Sequence, residues 1–486
     1  MPPNYTALFL GNTVGSCTVG GFPSYSINVS SVAQVQLAVI IARELDIRLV
    51  IKNTGHDFGG KSTGMGGLSL WTHHMKDWRF YEKYQAVDGS YSGPAFRLGA
   101  GIQAFEAFEL AKAKNVTVVG GEGKTVGMIG GYVQGGGHSP LTSIYGMAAD
   151  HVLSINLVTA DGRFVTADAK TNSDIFWAVR GGGGSTFGVV TSMVVRAFPQ
   201  MKVTIMTYNM TTSSTFTPST FWEAQRAYVD NFEEYADKGF YAYYRIRHVN
   251  AQIYHDMNAM VAPNTSESEF RETLAPLFQK WQELGVPFTP FIKEYDNYHD
   301  AWKDGFPHEV WTWAMRQASR LIPRENISNT TKRAEIFDSI KGVFDEGANL
   351  IMFNIRNPPG TDKIDNAVNP AWRDVLMFAI MFVTWQVGDS AEYATQLNRN
   401  LTYEWNPRWR ALTPGAGTYM SESDYIEPNW QESFHGWKYK RLLEIKKTVD
   451  PWDVFYATNA VGSEEWELEG TLLGHLPSQN SRLCRK

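Results

Sequence analysis

The sequence predicts an α+β protein of two packed bodies. Three observations carry this: the length, an early stretch in which β-branched runs alternate with glycine clusters, and a change of texture near residue 200. A chain of 486 residues exceeds what one hydrophobic core supports. Its 43% hydrophobic and 19% charged residues describe a compact fold rather than a disordered one.

In order, Ser24 to Val29 and Arg48 to Lys52 read as strands flanking a helix over Ser31 to Leu45, whose apolar residues recur at helical spacing behind Ser31 as N-cap. Further strands are expected at Val116 to Val119, Leu153 to Thr159 and Val189 to Ala197. Past Pro199 come alternating strands, Phe240 to Arg247 and Ile253 to Val261, with Trp313 to Ser319 and Phe378 to Trp385 further on. Amphipathic helices over Phe221 to Ala236, Glu267 to Leu284 and Thr331 to Phe344 separate them. From about Ile426 the character changes again, to a Lys-rich helix at Lys438 to Lys447, then Asp450-Pro451 and a short aromatic segment ending at Gly462. The expected divisions are 1–200, 201–425 and 426–486.

The net charge of −6 and pI near 6.0 supply no basic field, so no nucleic-acid partner is expected. The longest apolar run, Val375 to Val383, falls well short of the roughly 20 residues a membrane helix needs, and no membrane association is expected. Two cysteines, Cys17 and Cys484, permit one disulfide or two unpaired thiols and exclude a Cys-rich zinc site. Sequons begin at Asn4, Asn28, Asn115, Asn209, Asn264, Asn326, Asn329 and Asn400 and favour a secretory compartment. No leader is legible: Met1-Pro-Pro-Asn-Tyr5 lacks a basic region and Ala7 to Gly11 is too short for an apolar one. A monomer is expected.

The densest signal is glycine. Nine lie between Gly120 and Gly137, and Gly181 to Gly184 are unbroken. The segment Gly120-Gly-Glu-Gly-Lys-Thr125 ends like a phosphate loop, but Val118 stands where that loop requires its first glycine. Gly121-x-Gly123 is followed by glycine only at 127, 130 and 131, which misfits the dinucleotide fingerprint. Interleaved Val126, Met128, Ile129 and Tyr132 argue against floppy linkers, leaving close backbone approach to a ligand or forced positive φ; a large, flat, phosphorylated cofactor would explain both clusters. His73 and His74, read as adjacent strand residues on opposite faces, are not expected to share a metal ion, and no metal is expected.

Several ordered motifs then resemble one family: Lys52-Asn-Thr-Gly-His-Asp-Phe-Gly-Gly-Lys-Ser62, Gly130-Gly-Tyr-Val-Gln-Gly-Gly-Gly-His-Ser-Pro140, Tyr145 to Asp150, Asp174 to Gly184, and Asp450-Pro-Trp-Asp-Val-Phe455. They resemble the vanillyl-alcohol oxidase (PCMH-type) FAD-linked oxidoreductases, in the berberine-bridge-enzyme-like branch. The resemblance implies an FAD domain built from residues 1–200 plus 426–486, and a middle part forming an antiparallel sheet, backed by helices, that roofs the flavin. It implies FAD held on Asn53, Thr54, Gly55, Asp57, Phe58, Gly59, Gly60 and Ser62, with Gly121, Gly123, Thr125, Val126, Gly131, Gly135, Gly136, Val190 and Phe455 also at the cofactor. His56 would carry a covalent bond to the flavin 8α-methyl carbon. Many members add a second bond from a cysteine, but Gly123 stands at that position, so a single link is expected.

The implied activity is oxidation of a small organic substrate (an alcohol, a sugar or a secondary metabolite), with O2 as re-oxidant and H2O2 as product, because Val126 occupies the position that gates oxygen in this branch. Two base candidates follow. Tyr419 lies in Tyr-Met-Ser421, where relatives have Tyr-x-Asn, and His138 follows the triple glycine with an ordinary pKa near 6.5. Two other readings stay open: a redox-neutral cyclase on the same scaffold, and an inactive secreted glycoprotein.

Overall fold

A computed structural model describes residues 19–306, 314–386, 389–469, 471–472, 476–477, 479 and 481–486. Its first layer is a small parallel sheet in which Leu68–Trp71 lies between Tyr25–Asn28 and Leu49–Lys52. Helix Val32–Glu44 crosses over it. Ser31 Oγ accepts from the Gln34 amide, the Gln34 side chain returns to the Ser31 N–H, and Val35, Ala38, Val39 and Ala42 are buried. Phe455 adds a parallel bridge to Leu49, so the end of the chain closes the edge of the first sheet.

A five-stranded antiparallel sheet follows, ordered Trp78–Gln85, Ser92–Gly99, Val189–Arg196, Val152–Val158 and Phe164–Ala167. The hairpin of its first two strands was not expected. Trp78–Gln85 is largely exposed and carries Arg79, Glu82 and Lys83, so neither an alternating nor a continuous apolar run marks it.

The middle of the chain forms a seven-stranded antiparallel sheet, ordered Phe291–Tyr295, Val203–Thr211, Gln252–Pro263, Tyr241–Val249, Asn349–Asn354, Val375–Trp385 and Ala314–Pro323. Strand alternation splits its faces. Leu350 and Met352 join the core beneath helices Pro218–Val229, Glu267–Glu283 and Thr330–Asp345, through Trp222, Leu274, Trp281 and Phe337. Ile351 and Phe353 point the other way, into the core shared with the glycine-rich segments. That second face roofs the cavity described below.

Two buried ion pairs fasten the parts. Arg373 grips Asp150 at 2.7 and 2.8 Å. Lys446 Nζ donates to Asp450 at 2.5 Å and to the Phe455 carbonyl at 2.7 Å, while Asp450 accepts the amides of Val454 and Phe455. The Asp450-Pro-Trp-Asp-Val-Phe455 motif is thus a buttress that sets Phe455 against Leu49.

Three local expectations are corrected. Phe221 to Ala236 is two helices, Pro218–Val229 and Phe232–Asp237, broken where the Asn231 side chain donates to the Ala227 carbonyl. Val116 to Val119 yields only Val116–Thr117 as strand, because the backbone turns toward Gly120 and Gly121. His73 and His74 lie in a helical turn after Trp71, with rings 5.1 Å apart, rather than on opposite strand faces. Cys17, and with it the cysteine pairing, lies outside the described residues, as do Asn4 and Trp313. Among the described residues no helix is long and apolar enough to cross a membrane.

Candidate functional site

One cleft runs between the glycine-rich segments and the sheet face, with about 1700 Å³ of space including its mouth. Its floor begins where Leu49–Lys52 ends. Asn53 is buried, and its Nδ2 donates to Thr72 Oγ1 at 2.9 Å and to the Ala100 carbonyl at 2.8 Å. Gly127 and Gly130 pack onto that amide: a Cβ would fall 1.9 Å from Asn53 Oδ1 at Gly127 and 2.3 Å from its Cγ at Gly130. These two glycines therefore serve protein packing, and they pin the second wall to the first.

The loop beyond Asn53 turns through Gly55 at φ +90° and Gly60 at φ +75°. Among the described residues the amides of Thr54 to Gly60 and of Ser62 donate to no protein acceptor, while the Lys61 amide bonds Asp57 Oδ2 at 2.8 Å. Such a curl of unspent N–H groups is an anion cradle. Lys61 Nζ reaches the Met420 carbonyl at 3.2 Å, tying the cradle to the C-terminal segment.

His56 follows Gly55, and its Nε2 lies 2.7 Å from Thr125 Oγ1. The ring opens onto the cleft, yet the surrounding protein desolvates it enough to lower its pKa, which favours neutral imidazole. Beyond Thr125 stands Val126, and a Cβ on Gly123 would come 2.9 Å from Val126 Cγ2. Tyr132 packs beneath Gly121 and Gly137, and its hydroxyl donates to the His138 carbonyl at 2.5 Å.

The far end is polar. The His138 ring is buried in a box of aromatic rings, with centroids at 5.1 Å to Phe353, 5.6 Å to Trp372, 5.6 Å to Phe378 and 5.4 Å to Tyr419. Its Nε2 meets Glu422 Oε2 at 3.1 Å. Burial pulls the His138 pKa down, but the Glu422 charge and hydrogen bond, with Glu122 adding, outweigh it and the net direction is up. Burial drives the Tyr419 phenol well above its usual range, reinforced by Glu422, so it stays protonated. It is a hydrogen-bond donor at neutral pH rather than a base.

Of the expected residues, Asn53, Thr54, Gly55, His56, Asp57, Phe58, Ser62, Gly121, Gly123, Thr125, Val126, Gly131, His138 and Tyr419 come together around this cleft. Gly59, Gly60, Gly135, Gly136, Val190 and Phe455 do not line it. Gly60 instead backs onto Gln479 and Tyr425, Gly135 gives room to Ser421, and Gly136 supplies a turn at φ +110°. Val190 and Phe455 are core residues. Gly181 takes a positive φ of +116°, one of the two needs expected of the glycine clusters, and a Cβ there would also strike the Val368 backbone. Sequence reading missed Glu122, Glu422 and the buried Gln317. The one legible signal was an acid inside Gly121-x-Gly123.

The walls fit FAD: an unspent amide curl, a buried unpaired Asn53 Oδ1, and Gly131, whose Cβ would meet nothing within 4 Å, offer a phosphate cradle and a close planar approach. Comparison with known proteins agrees. Residues 23–168 match the family described as FAD binding domain, and residues 418–462 that described as berberine and berberine like. The chain is 34% identical to the FAD-linked oxidoreductase ZEB1 of Gibberella zeae, covering 96% of this chain and 80% of that protein. It is 35% identical to the VAO-type flavoprotein oxidase VAO615 of Thermothelomyces thermophilus, covering 99% and 82%. A crystal structure of the VAO-type flavoprotein MtVAO615 from Myceliophthora thermophila superposes with a TM-score of 0.87 at 34% identity, over 97% of this chain and 83% of that one. The bifunctional decalin synthase calF of Penicillium decumbens is 33% identical, covering 99% and 82%. The chain belongs to the VAO-type, berberine-bridge-enzyme-like family of FAD-linked oxidoreductases.

Proposed function

We propose that this FAD-linked oxidoreductase is an oxidase of a small organic alcohol, with its flavin held by one covalent bond to His56. The observation that carries the tether is His56 itself: Thr125 engages Nε2, leaving Nδ1 to form the bond, and desolvation favours the neutral, nucleophilic ring. Gly123 offers no sulfur for a second bond. The amides of 54–58 and Ser62 would hold the pyrophosphate, with Asp57 and Lys61 fixing the loop's shape.

FAD, when bound, would supply a two-electron acceptor for hydride, with O2 as the re-oxidant and H2O2 as its product. The protein's part is to seat the reacting carbon against the roof residues Ile351, Phe353 and Ile380, exclude water, and receive the hydroxyl proton at the polar end. There Glu422 opens on the cleft, His138 stands behind it, and protonated Tyr419 orients the substrate oxygen by donating to it.

Acid precipitation tests the tether: a yellow pellet from the wild type and a white one from His56→Ala are expected, and a white wild-type pellet refutes it. For the oxidase reading, anaerobically reduced enzyme is mixed with air-saturated buffer in a stopped flow. Reoxidation within seconds is expected, at least tenfold slower in Val126→Leu. Sluggish reoxidation of the wild type makes the enzyme a dehydrogenase. A peroxide-coupled screen of alcohols, oligosaccharides and secondary metabolites then identifies the substrate.

The likeness to calF favours one second reading, ring formation without net redox change on the same scaffold. Turnover without flavin bleaching or oxygen uptake would select it. A secretory location also belongs here, supported by exposed sequon asparagines at Asn28, Asn115, Asn209 and Asn264. Asn326 is buried and donates to the Leu412 carbonyl, so it is not expected to carry a glycan. An endoglycosidase mobility shift on the natively produced protein checks both points.

A further inference from the structure

One buried group on the roof of the cleft has no employment within the protein. Gln317 lies on Ala314–Pro323, the last strand of the seven-stranded sheet, opposite Phe382. It lines the cleft and is only 4% exposed, yet its Nε2 has no partner among the described residues. An amide donor shut away from water without an acceptor costs folding free energy, and an apolar side chain in its place would avoid that cost. Two other polar residues of the roof, Tyr243 and Asn258, are already engaged within the protein.

Its level on the sheet sets it apart from the polar end. His138 packs on Phe353 and Phe378, which pair across neighbouring strands. Ile351 and Ile380 are the next pair on the same face, and Phe382, opposite Gln317, belongs to the level after that. Phe382 is four residues beyond Phe378, about 13 Å along the strand. The cleft therefore has a hydrogen-bonding end at Tyr419 and Glu422, an apolar span under Ile351 and Ile380, and a second hydrogen-bonding point at Gln317.

We infer that Gln317 determines specificity for the far end of the substrate, donating to an oxygen that lies across an apolar body from the reacting alcohol. The terminal amide turns over a broad range about its last bond, so the donor can follow that oxygen into the cleft. The ligand class is an alcohol with a body about two rings long, apolar in the middle and carrying a carbonyl, ether or hydroxyl oxygen at the other end. An oligosaccharide is a poor fit, because hydroxyls held against Ile351 and Ile380 would lose water and gain no partner. Which end is oxidised rests on the proposed alcohol oxidation; the hydrogen bond at Gln317 does not.

The test is calorimetric binding of two probes to the purified, flavin-loaded protein: biphenyl-4-methanol, and the same alcohol with an acetyl group at the far para carbon. The wild type is expected to bind the acetyl probe at least tenfold more tightly. Gln317→Leu, and Gln317→Met as a variant closer in shape, should bind the two probes alike while Tm holds or rises. Flavin content and circular dichroism identify the variants that are folded. Equal affinities in the wild type, a preference that survives in a folded variant, or no binding of either probe overturns the inference. So does a fall in Tm in both variants, the mark of a group that serves packing alone. Probes that bind with the expected preference but give neither flavin bleaching nor peroxide refute the oxidase reading and leave the role of Gln317 standing.

Discussion

Glu427 gives the sharpest test of the electrostatics beneath the site. It is 3% exposed and closes the segment that carries Tyr419 and Glu422. Its Oε1 accepts from Arg410 at 3.1 Å and from Ser433 at 2.9 Å, and Oε2 accepts from Asn406 at 3.3 Å. Burial nonetheless outweighs the Arg410 charge, helped by nearby Asp424, and pushes the carboxyl up from 4.5 to about 7. An acid whose pKa is raised on folding binds its proton more tightly in the folded state. Its stabilisation is therefore complete below about pH 4.5 and lost as pH rises through about 7. The shift corresponds to a ceiling of about 3.4 kcal/mol, and relaxation around the charge brings the working figure to about 2 kcal/mol. Glu427→Gln keeps an acceptor for Arg410 and removes the titration. For a chain of this length about 2 kcal/mol is about 2 °C in Tm. Thermal unfolding of both proteins at pH 5 and pH 8 should show the variant gaining about 2 °C on the wild type between the two. A pH-independent difference, or a variant that loses ground at pH 8, would mean that Arg410 holds Glu427 ionised and that the reasoning is wrong.

Other outcomes follow from packing. Lys446→Met strands Asp450, whose side chain is fully buried, and should cost about 3–5 kcal/mol in denaturant unfolding, along with loss of covalent flavin. Gly127→Ala drives a methyl into Asn53 and should lower Tm and flavin content together. Gly131→Ala meets no protein atom, so Tm should hold while the ratio of flavin to protein absorbance falls. Arg373→Ala leaves Asp150 buried without its bidentate partner and should destabilise by about 3–5 kcal/mol, measured the same way.

Local rules made much of the fold readable. Ser31 announces a helix start, and the strands expected at Phe240 to Arg247 and Ile253 to Val261 follow from strand period, as Tyr241–Val249 and Gln252–Pro263 bear out, whereas Asn349–Asn354 went unread. The Gly55-His56-Asp57 loop was legible only through its resemblance to the family's motif; the positive φ of Gly55 and Gly60 shows the backbone need that keeps glycine there. The polar end was not. Glu122 and Glu422 are single acids in irregular segments 300 residues apart, joined by His138 only through tertiary packing. Density of glycine also misled at Gly127 and Gly130, where the close approach is to protein rather than cofactor. Exposure hid the Trp78–Gln85 strand, since its solvent face carries charges that a buried strand would lack.

The bridge between Leu49 and Phe455 sets an order on biosynthesis. The first sheet is made early by the ribosome, but its edge and the Lys446–Asp450 buttress exist only once nearly the whole polypeptide has emerged. The flavin cradle is therefore completed after the seven-stranded sheet has been synthesised, not before it. A nascent chain halted ahead of Asp450 should leave the ribosome colourless, however well its amino-terminal half has folded.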